Sequence, residues 1–319
     1  MAIRILAPLW VVTTLFGLVS NTTNIAVFLK AGAKDNVTVL LLSLSVSDFV
    51  FLILISPTTV TYLLRGLPEF SWPFDYNIPF SLLYWHAYTA YDISGFTSVS
   101  LGLMRCACVA MPLKFKVVFT RSRTVKWVMF LVVLAVSLRI PVLTVNRIAW
   151  RTDPSTNKTV AYLNMVNRLY MISINDILNR SIIINLSYGI MVICVVVLTF
   201  NLYQAAKMRR DCLKTSQTSD QKGLSSKDLQ VVKSVVLVCT IFVLFQLPAL
   251  FVSTIRRILP EFDDGKDLVY LFGILSQINL TCTYLNASVN IFVYYNYNSK
   301  YRAIFRSIVC CKKNPVIRG

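Results

Sequence analysis

Charge is scarce in this sequence: 14% of its residues are Asp, Glu, Lys or Arg, against about a quarter in a soluble domain. Histidine is scarcer still, with His86 alone. One imidazole excludes the paired-His zinc helix of metalloproteases, and no Gly-x-Ser-x-Gly nucleophile elbow occurs. The eight cysteines (Cys106, Cys108, Cys194, Cys212, Cys239, Cys282, Cys310 and Cys311) show no metal-ligand spacing. Internal repeats and low-complexity tracts are lacking too, which leaves one domain and weighs against a duplicated transporter. No cleavable signal pattern precedes the first apolar block, which begins almost at Met1; so short a leading segment suggests a truncated N-terminus.

Apolar residues, at 56%, are what the chain does have, and they fall in long blocks. These are Leu6–Leu29, Val37–Leu63, Ile78–Val109, Val125–Val145, Ile177–Ala206, Leu229–Ile255 and Leu268–Tyr295. Each reaches the roughly 20 residues that span a bilayer's hydrocarbon. Backbone polar groups find no water there, so a span is a helix or part of a closed barrel. Barrel strands alternate over about ten residues, and these blocks do not. The fold expected is an all-α membrane protein, a seven-transmembrane-helix bundle over residues 1–298. Residues 299–319 then form an amphipathic inner-leaflet helix and a short basic tail.

The net charge of +18 is unevenly placed. Alternate connections, including Lys114–Lys126, Lys207–Lys233 and Lys300–Arg318, collect twenty cations against the four acids Asp35, Asp211, Asp220 and Asp228. The opposite connections hold ten cations and eight acids. Cytoplasmic loops carry the Lys/Arg excess, so the N-terminus is expected outside and the C-terminus in the cytoplasm. A basic inner face suits anionic lipid and makes nucleic acid the poorer partner. No cysteine falls in an outer connection, so no external disulfide is expected. The longest outer loop, about Asn146 to Asp176, carries the sequon at Asn157, and a second at Asn179 lies at its end; both read as glycosylation sites. Cys310 and Cys311, just after the amphipathic segment, are palmitoylation candidates.

Polar groups inside the blocks carry the mechanism. Asp48 sits mid-block, where a charge costs about 2.5–3.5 kcal/mol on insertion scales and therefore faces partners. Asn21, Ser94, Asn286 and Asn290 are the candidates. Such a cluster holds either a sodium ion, as an allosteric ligand, or a protonated carboxyl in a hydrogen-bonded network. Tyr84, Tyr88 and Tyr91 recur at helical spacing, with Asp92 adjacent. Asp92 meets a cationic ligand or pairs with Arg139.

The chain resembles a rhodopsin-like (class A) G protein-coupled receptor over essentially its whole length. The resemblance rests on Asn21, Asp48, Arg105 in Met104-Arg105-Cys106, Phe242 six residues before Pro248, and Asn290-Ile291-Phe292-Val293-Tyr294. The stretches Leu285–Phe292 and Lys34–Thr38 are similar to invertebrate, especially molluscan, FMRFamide-type peptide receptors and chemosensory receptors. The resemblance implies G protein coupling through Arg105, Phe242, Pro248, Asn290 and Tyr294. It also implies a ligand pocket that adds Tyr62, Gln246, Ser253, Arg256 and Tyr284 to the tyrosine stripe.

Departures from the family pattern accompany it. Met104 replaces the acid beside Arg105; Asp228, about 30 Å below Pro248 at 1.5 Å per residue, could substitute. Gln246 stands at the sixth-helix Trp, Ile291 at the seventh-helix Pro and Phe80 at the third-helix Cys. Ala87 at the amine-binding acid's place argues against a biogenic amine, and a seventh helix without Lys excludes retinal. The function expected is a plasma-membrane receptor for an extracellular neuropeptide or chemosensory ligand, signalling through a heterotrimeric G protein. A transporter or channel is the rival; no enzyme is expected.

Overall fold

The computed structural model describes residues 2–64, 77–111, 115, 117–152, 159–165, 167–214, 226–263 and 265–309. Seven long helices occupy the apolar blocks. They are α1 (Ala2–Lys30), α2 (Asn36–Leu64), α3 (Asn77–Ala110), α4 (Arg121–Leu143), α5, α6 (Ser226–Ile258) and α7. α5 is continuous from Arg168–Asn175 through a π-helical stretch, Asp176–Ile183, into Ile184–Lys214. α7 runs over Val269–Ser288 and resumes as Asn290–Tyr297; a short α8 (Ser299–Val309) follows.

The chain folds as an all-α seven-helix bundle. Among the described residues α1, α2, α4, α5 and α6 are long and apolar enough to cross a membrane. Their outward side chains, such as Val19, Val133 and Ile193, are exposed, an apolar coat that water-facing surfaces avoid and lipid accepts. The two helices below that mark, α3 and α7, carry buried polar residues such as Ser94, Thr97, Asn286 and Asn290.

The segment from Asn146 to Asp176, expected as a loop, holds an antiparallel hairpin of β1 (Asn146–Thr152) and β2 (Thr159–Met165). Asn146 lies opposite Met165 and Thr152 opposite Thr159. Alternation puts Ile148 and Trp150 on one face, the β-branched and aromatic types that suit a pleated surface. The Asn146 amide donates to the Ser81 carbonyl and pins the hairpin to α3. The hairpin marks one end of the bundle and α8 the other.

Ile291 removes the proline, yet α7 still breaks. Val289 sits at φ −86°, ψ −8°, and the Phe292 N–H reaches the Val289 carbonyl at 3.1 Å, a tight i→i+3 turn. Ser288 Oγ lies 2.7 Å from the Tyr284 carbonyl oxygen and 3.2 Å from that of Thr13; such back-bonding by a helical serine bends helices. In α6 Pro248 has no N–H to offer the Leu244 carbonyl, so that rung of the ladder is missing.

Two apolar clusters make the core. One, toward the hairpin, is centred on Trp10, Phe51, Tyr91 and Tyr284; the other, toward α8, on Phe28, Leu44, Met104, Phe242 and Tyr294. Helices α1 and α7 meet at Gly17, where an added Cβ would lie 2.3 Å from Ser288 Oγ and 2.6 Å from Leu52 Cδ1. Overpacking of this kind costs about 1–3 kcal/mol. Gly17→Ala should therefore lower the melting temperature of the detergent-solubilised protein; an unchanged value would show a looser α1–α7 contact.

Candidate functional site

Toward the hairpin, α3, α5, α6 and α7 enclose a cavity of about 140 Å³. Spacings of four and three residues put Tyr84, Tyr88 and Tyr91 on one face of α3, and their ring centroids follow at 4.6 and 6.2 Å. α6 contributes Gln246, Ser253 and Arg256 by the same periodicity. At the floor the Tyr91 hydroxyl donates to Gln246 Oε1 at 3.2 Å. Tyr62 and Tyr284, expected in this pocket, do not line it. Trp10 of α1 fills the space between α2 and α7 and draws both away: Tyr62 meets it edge-on at 5.8 Å and Tyr284 stacks on it at 6.2 Å. The Tyr284 hydroxyl sits 2.6 Å from Thr59 Oγ1, and Trp10 Nε1 donates to Thr281 Oγ1 at 2.9 Å.

Asp92 pairs with Arg139. Arg139 Nε and Nη2 donate to the two carboxylate oxygens at 2.5 and 3.0 Å, while Nη1 donates to Asn175 Oδ1 at 3.0 Å. The guanidinium also lies over the Trp85 ring at 5.9 Å. A bidentate pair takes one acceptor direction on each carboxylate oxygen, so Arg139 offsets the Asp92 charge while the carboxylate still borders the cavity. Closer to the hairpin, Arg256 bridges Asp176 at 3.0 Å and Asp263 at 2.7 Å, and Arg180 approaches Asp176 at 3.4 Å.

Asn179 needs correcting as a glycosylation site. It is 2% exposed, and its amide donates to the Leu138 carbonyl and to Asn175 Oδ1, each at 3.0 Å. A side chain packed between α4 and α5 leaves no room for a glycan. Asn157, Cys310, Cys311 and the side chain of Asp228 lie outside the described residues.

Below the cavity runs a polar layer. Asp48 is fully buried; Ser94 Oγ donates to its Oδ1 at 2.6 Å and Asn290 Nδ2 to its Oδ2 at 3.0 Å. Asn21 and Asn286 do not join it directly. Asn21 donates instead to the carbonyls of Ala287 (2.7 Å) and Gly17 (3.0 Å), tying α1 to α7 at the close approach beside Gly17. Asn286 donates to the Tyr91 hydroxyl at 3.2 Å. A sodium ion needs a shell of oxygens. Asp48 accepts one hydrogen bond on each oxygen, from Ser94 and Asn290, of the roughly two that each can take. The layer therefore keeps acceptor sites that either a cation or a hydrogen-bonded carboxyl network would use.

Asn286 and Asn290, one turn apart on α7, place the cavity floor and the Asp48 cluster on one helix face. Toward α8, Phe242 lies one turn below Gln246 on α6 and touches α3 at Gly95, where a Cβ would be 3.6 Å from its ring. Met104 is packed in the core and Arg105, next to it, is half-buried. Tyr294 is buried against Phe28 and Tyr301, with centroids at 5.2 and 5.7 Å.

Trp85, Arg180, Phe272, Asn279 and Thr283 line the cavity as well and escaped the sequence reading. Phe272, Ser276, Asn279 and Thr283 carry a readable signal, the four-and-three spacing of one α7 face. Arg180 carries none, because its facing depends on the π-helical stretch.

A family model described as 7 transmembrane receptor (rhodopsin family) matches residues 20–294. No curated protein matches the chain.

Proposed function

Because the chain belongs to the rhodopsin family of seven-transmembrane receptors, we propose that it binds an extracellular ligand in the cavity below the hairpin and activates a heterotrimeric G protein at the α8 end. Members of this family are multi-pass plasma-membrane proteins and G protein-coupled receptors. Our reading puts the hairpin outside and α8 in the cytoplasm, in keeping with the basic residues of α8 and the loops beside it.

The observation that supports this most is the continuity between the two ends. Gln246 and Tyr91 form the cavity floor, Tyr91 accepts from Asn286, and one turn further Asn290 holds Asp48. A ligand touching the floor thus touches α3, α6 and α7 together. It shifts the receptor only by binding one arrangement of these helices better than the other. Arg105 is then the contact for the G protein, with Phe242, Pro248 and Tyr294 the parts of α6 and α7 that rearrange around it.

The ligand is an extracellular peptide in our reading, because a larger chamber of about 420 Å³ adjoins the cavity, with Arg180, Ser253 and Arg256 lining both. A small chemosensory ligand is the second reading, favoured by the small inner volume. Glycosylation at Asn157, palmitoylation at Cys310 and Cys311, and restraint of Arg105 by Asp228 complete the proposal. In transfected cells an agonist should evoke a calcium or cyclic-nucleotide signal, and Arg105→Ala, at matched surface expression, should abolish it. A signal that survives Arg105→Ala would remove the coupling role; a wild-type protein that never promotes nucleotide exchange on any G protein would reject the receptor reading.

A further inference from the structure

The inner cavity and the larger outer chamber share one wall, formed by Arg180, Ser253 and Arg256. The inner part, at about 140 Å³, is close to the roughly 150 Å³ of an engineered apolar cavity that holds one benzene. Its Tyr84, Tyr88, Tyr91 and Phe272 supply ring faces and edges, so it suits a single aromatic group.

Charge at the shared wall is unbalanced. Arg180, Arg256 and Arg257 line the outer chamber with only Asp176 and Asp263 against them among the described residues. Arg256 uses both arms on those two acids. Arg257 donates to the Ser253 and Arg180 carbonyls and faces the outer chamber alone. Arg180 faces both chambers; its one ion pair among the described residues is the 3.4 Å approach to Asp176, and its side chain is 35% exposed. The deeper pair, Asp92 with Arg139, is closed on itself and adds no net charge. A cation in excess within a low-dielectric cleft draws an anion. Across the inner cavity Asn279 presents a buried Oδ1 with no hydrogen-bond partner among the described residues, an acceptor whose desolvation is repaid by an N–H donor.

We infer that the site takes an aromatic α-amino acid unit with a free carboxylate: its ring enters the tyrosine-lined cavity, Arg180 holds the carboxylate and Asn279 accepts the N–H. This rests on the receptor reading above. A peptide ending in Phe, Tyr or Trp and a small N-acylated aromatic acid share this chemistry.

Ligand-induced thermal stabilisation of the purified receptor tests it with defined probes. These are N-acetylphenylalanine, its carboxamide, N-acetylleucine, and Gly-Gly-Gly-Phe as free acid and as amide. The free aromatic acids should bind about ten- to a hundredfold more tightly than their amides, the worth of a charge-assisted hydrogen bond, and N-acetylleucine should be weaker than N-acetylphenylalanine. Arg180→Gln should weaken the acids by that factor and leave the amides unchanged. Tighter binding by the tetrapeptide assigns the unit to a peptide end, and parity assigns it to a small acid. Amides that bind as well as the acids, an Arg180→Gln effect equal on both, or no binding by either acid would overturn the inference. The acid–amide comparison needs no variant, so misfolding of Arg180→Gln cannot rescue it. A receptor that drives nucleotide exchange in response to an amidated or cationic ligand keeps the proposed function and loses this inference. One that binds the acids without ever activating a G protein does the reverse.

Discussion

Asp92→Ala should destabilise the receptor by about 3–5 kcal/mol, the cost of leaving one member of a buried ion pair alone. The orphan would be Arg139, whose side chain is 7% exposed, against 16% for Asp92. The reciprocal change, Arg139→Ala, should fall near the lower end of that range, because water in the cavity can reach the carboxylate left behind. Removing both charges, in Asp92→Leu with Arg139→Leu, should restore much of the stability, since well-packed apolar replacements of buried pairs are often neutral. Surface expression and the melting temperature of the solubilised protein check the series. Equal losses in both single variants and the double variant would mean that the pair's charges are not what matters. The same series bears on the ligand: a cationic agonist would lose affinity in Asp92→Asn, whereas a ligand that never meets this carboxylate would not.

Tyr301→Ala should release α8 from the bundle. Its side chain is 2% exposed, packs between Phe28, Tyr294 and Phe305, and donates its hydroxyl proton to Asn24 Oδ1 at 2.6 Å. Truncating a buried aromatic costs about 3–5 kcal/mol. A helix of 11 residues holds little structure alone, so the undocked segment should also unfold. Tyr301→Phe removes only the hydrogen bond and should cost about 1 kcal/mol. Amide hydrogen exchange over Ser299–Val309 separates the two: protection lost in Tyr301→Ala and largely kept in Tyr301→Phe. Protection unchanged in Tyr301→Ala would show that Ile304 and the Arg302 contact to the Tyr295 carbonyl suffice. G protein activation should fall with α8 protection, because α8 lies at the end of the bundle where the G protein contact is proposed.

Much of this molecule is written in patterns that act locally. Seven apolar runs of bilayer length can only be helices, because hydrocarbon offers backbone polar groups no other partner. The tyrosine spacing on α3 places three rings on one face whatever lies opposite. Asp48 must find donors inside because leaving it in lipid is too costly. Which donors it finds is a different matter. Ser94 and Asn290 reach it, while Asn21 and Asn286 are spent on the Ala287 carbonyl and on Tyr91. That choice depends on how α1 and α7 approach at Gly17, a distance no single helix specifies.

The pocket divides in the same way. Tyr62 and Tyr284 were placed in it by resemblance, and Trp10 of another helix removed them. Asn179 read as a surface sequon and Arg180 only as its middle residue. A π-helical stretch carries more residues per turn than an α-helix, so its facing cannot be extrapolated from 3.6-residue periodicity; here it turns Asn179 into the bundle and Arg180 toward the cavity. From its order of residues alone, then, the chain was determined to be a seven-helix membrane receptor with a polar interior. Tertiary structure alone decided that Asp92 pairs with Arg139, which tyrosines line the cavity, and that Arg180 faces it. Periodicity and hydrophobicity are properties of one segment in its solvent, while pairing and facing depend on which segments become neighbours.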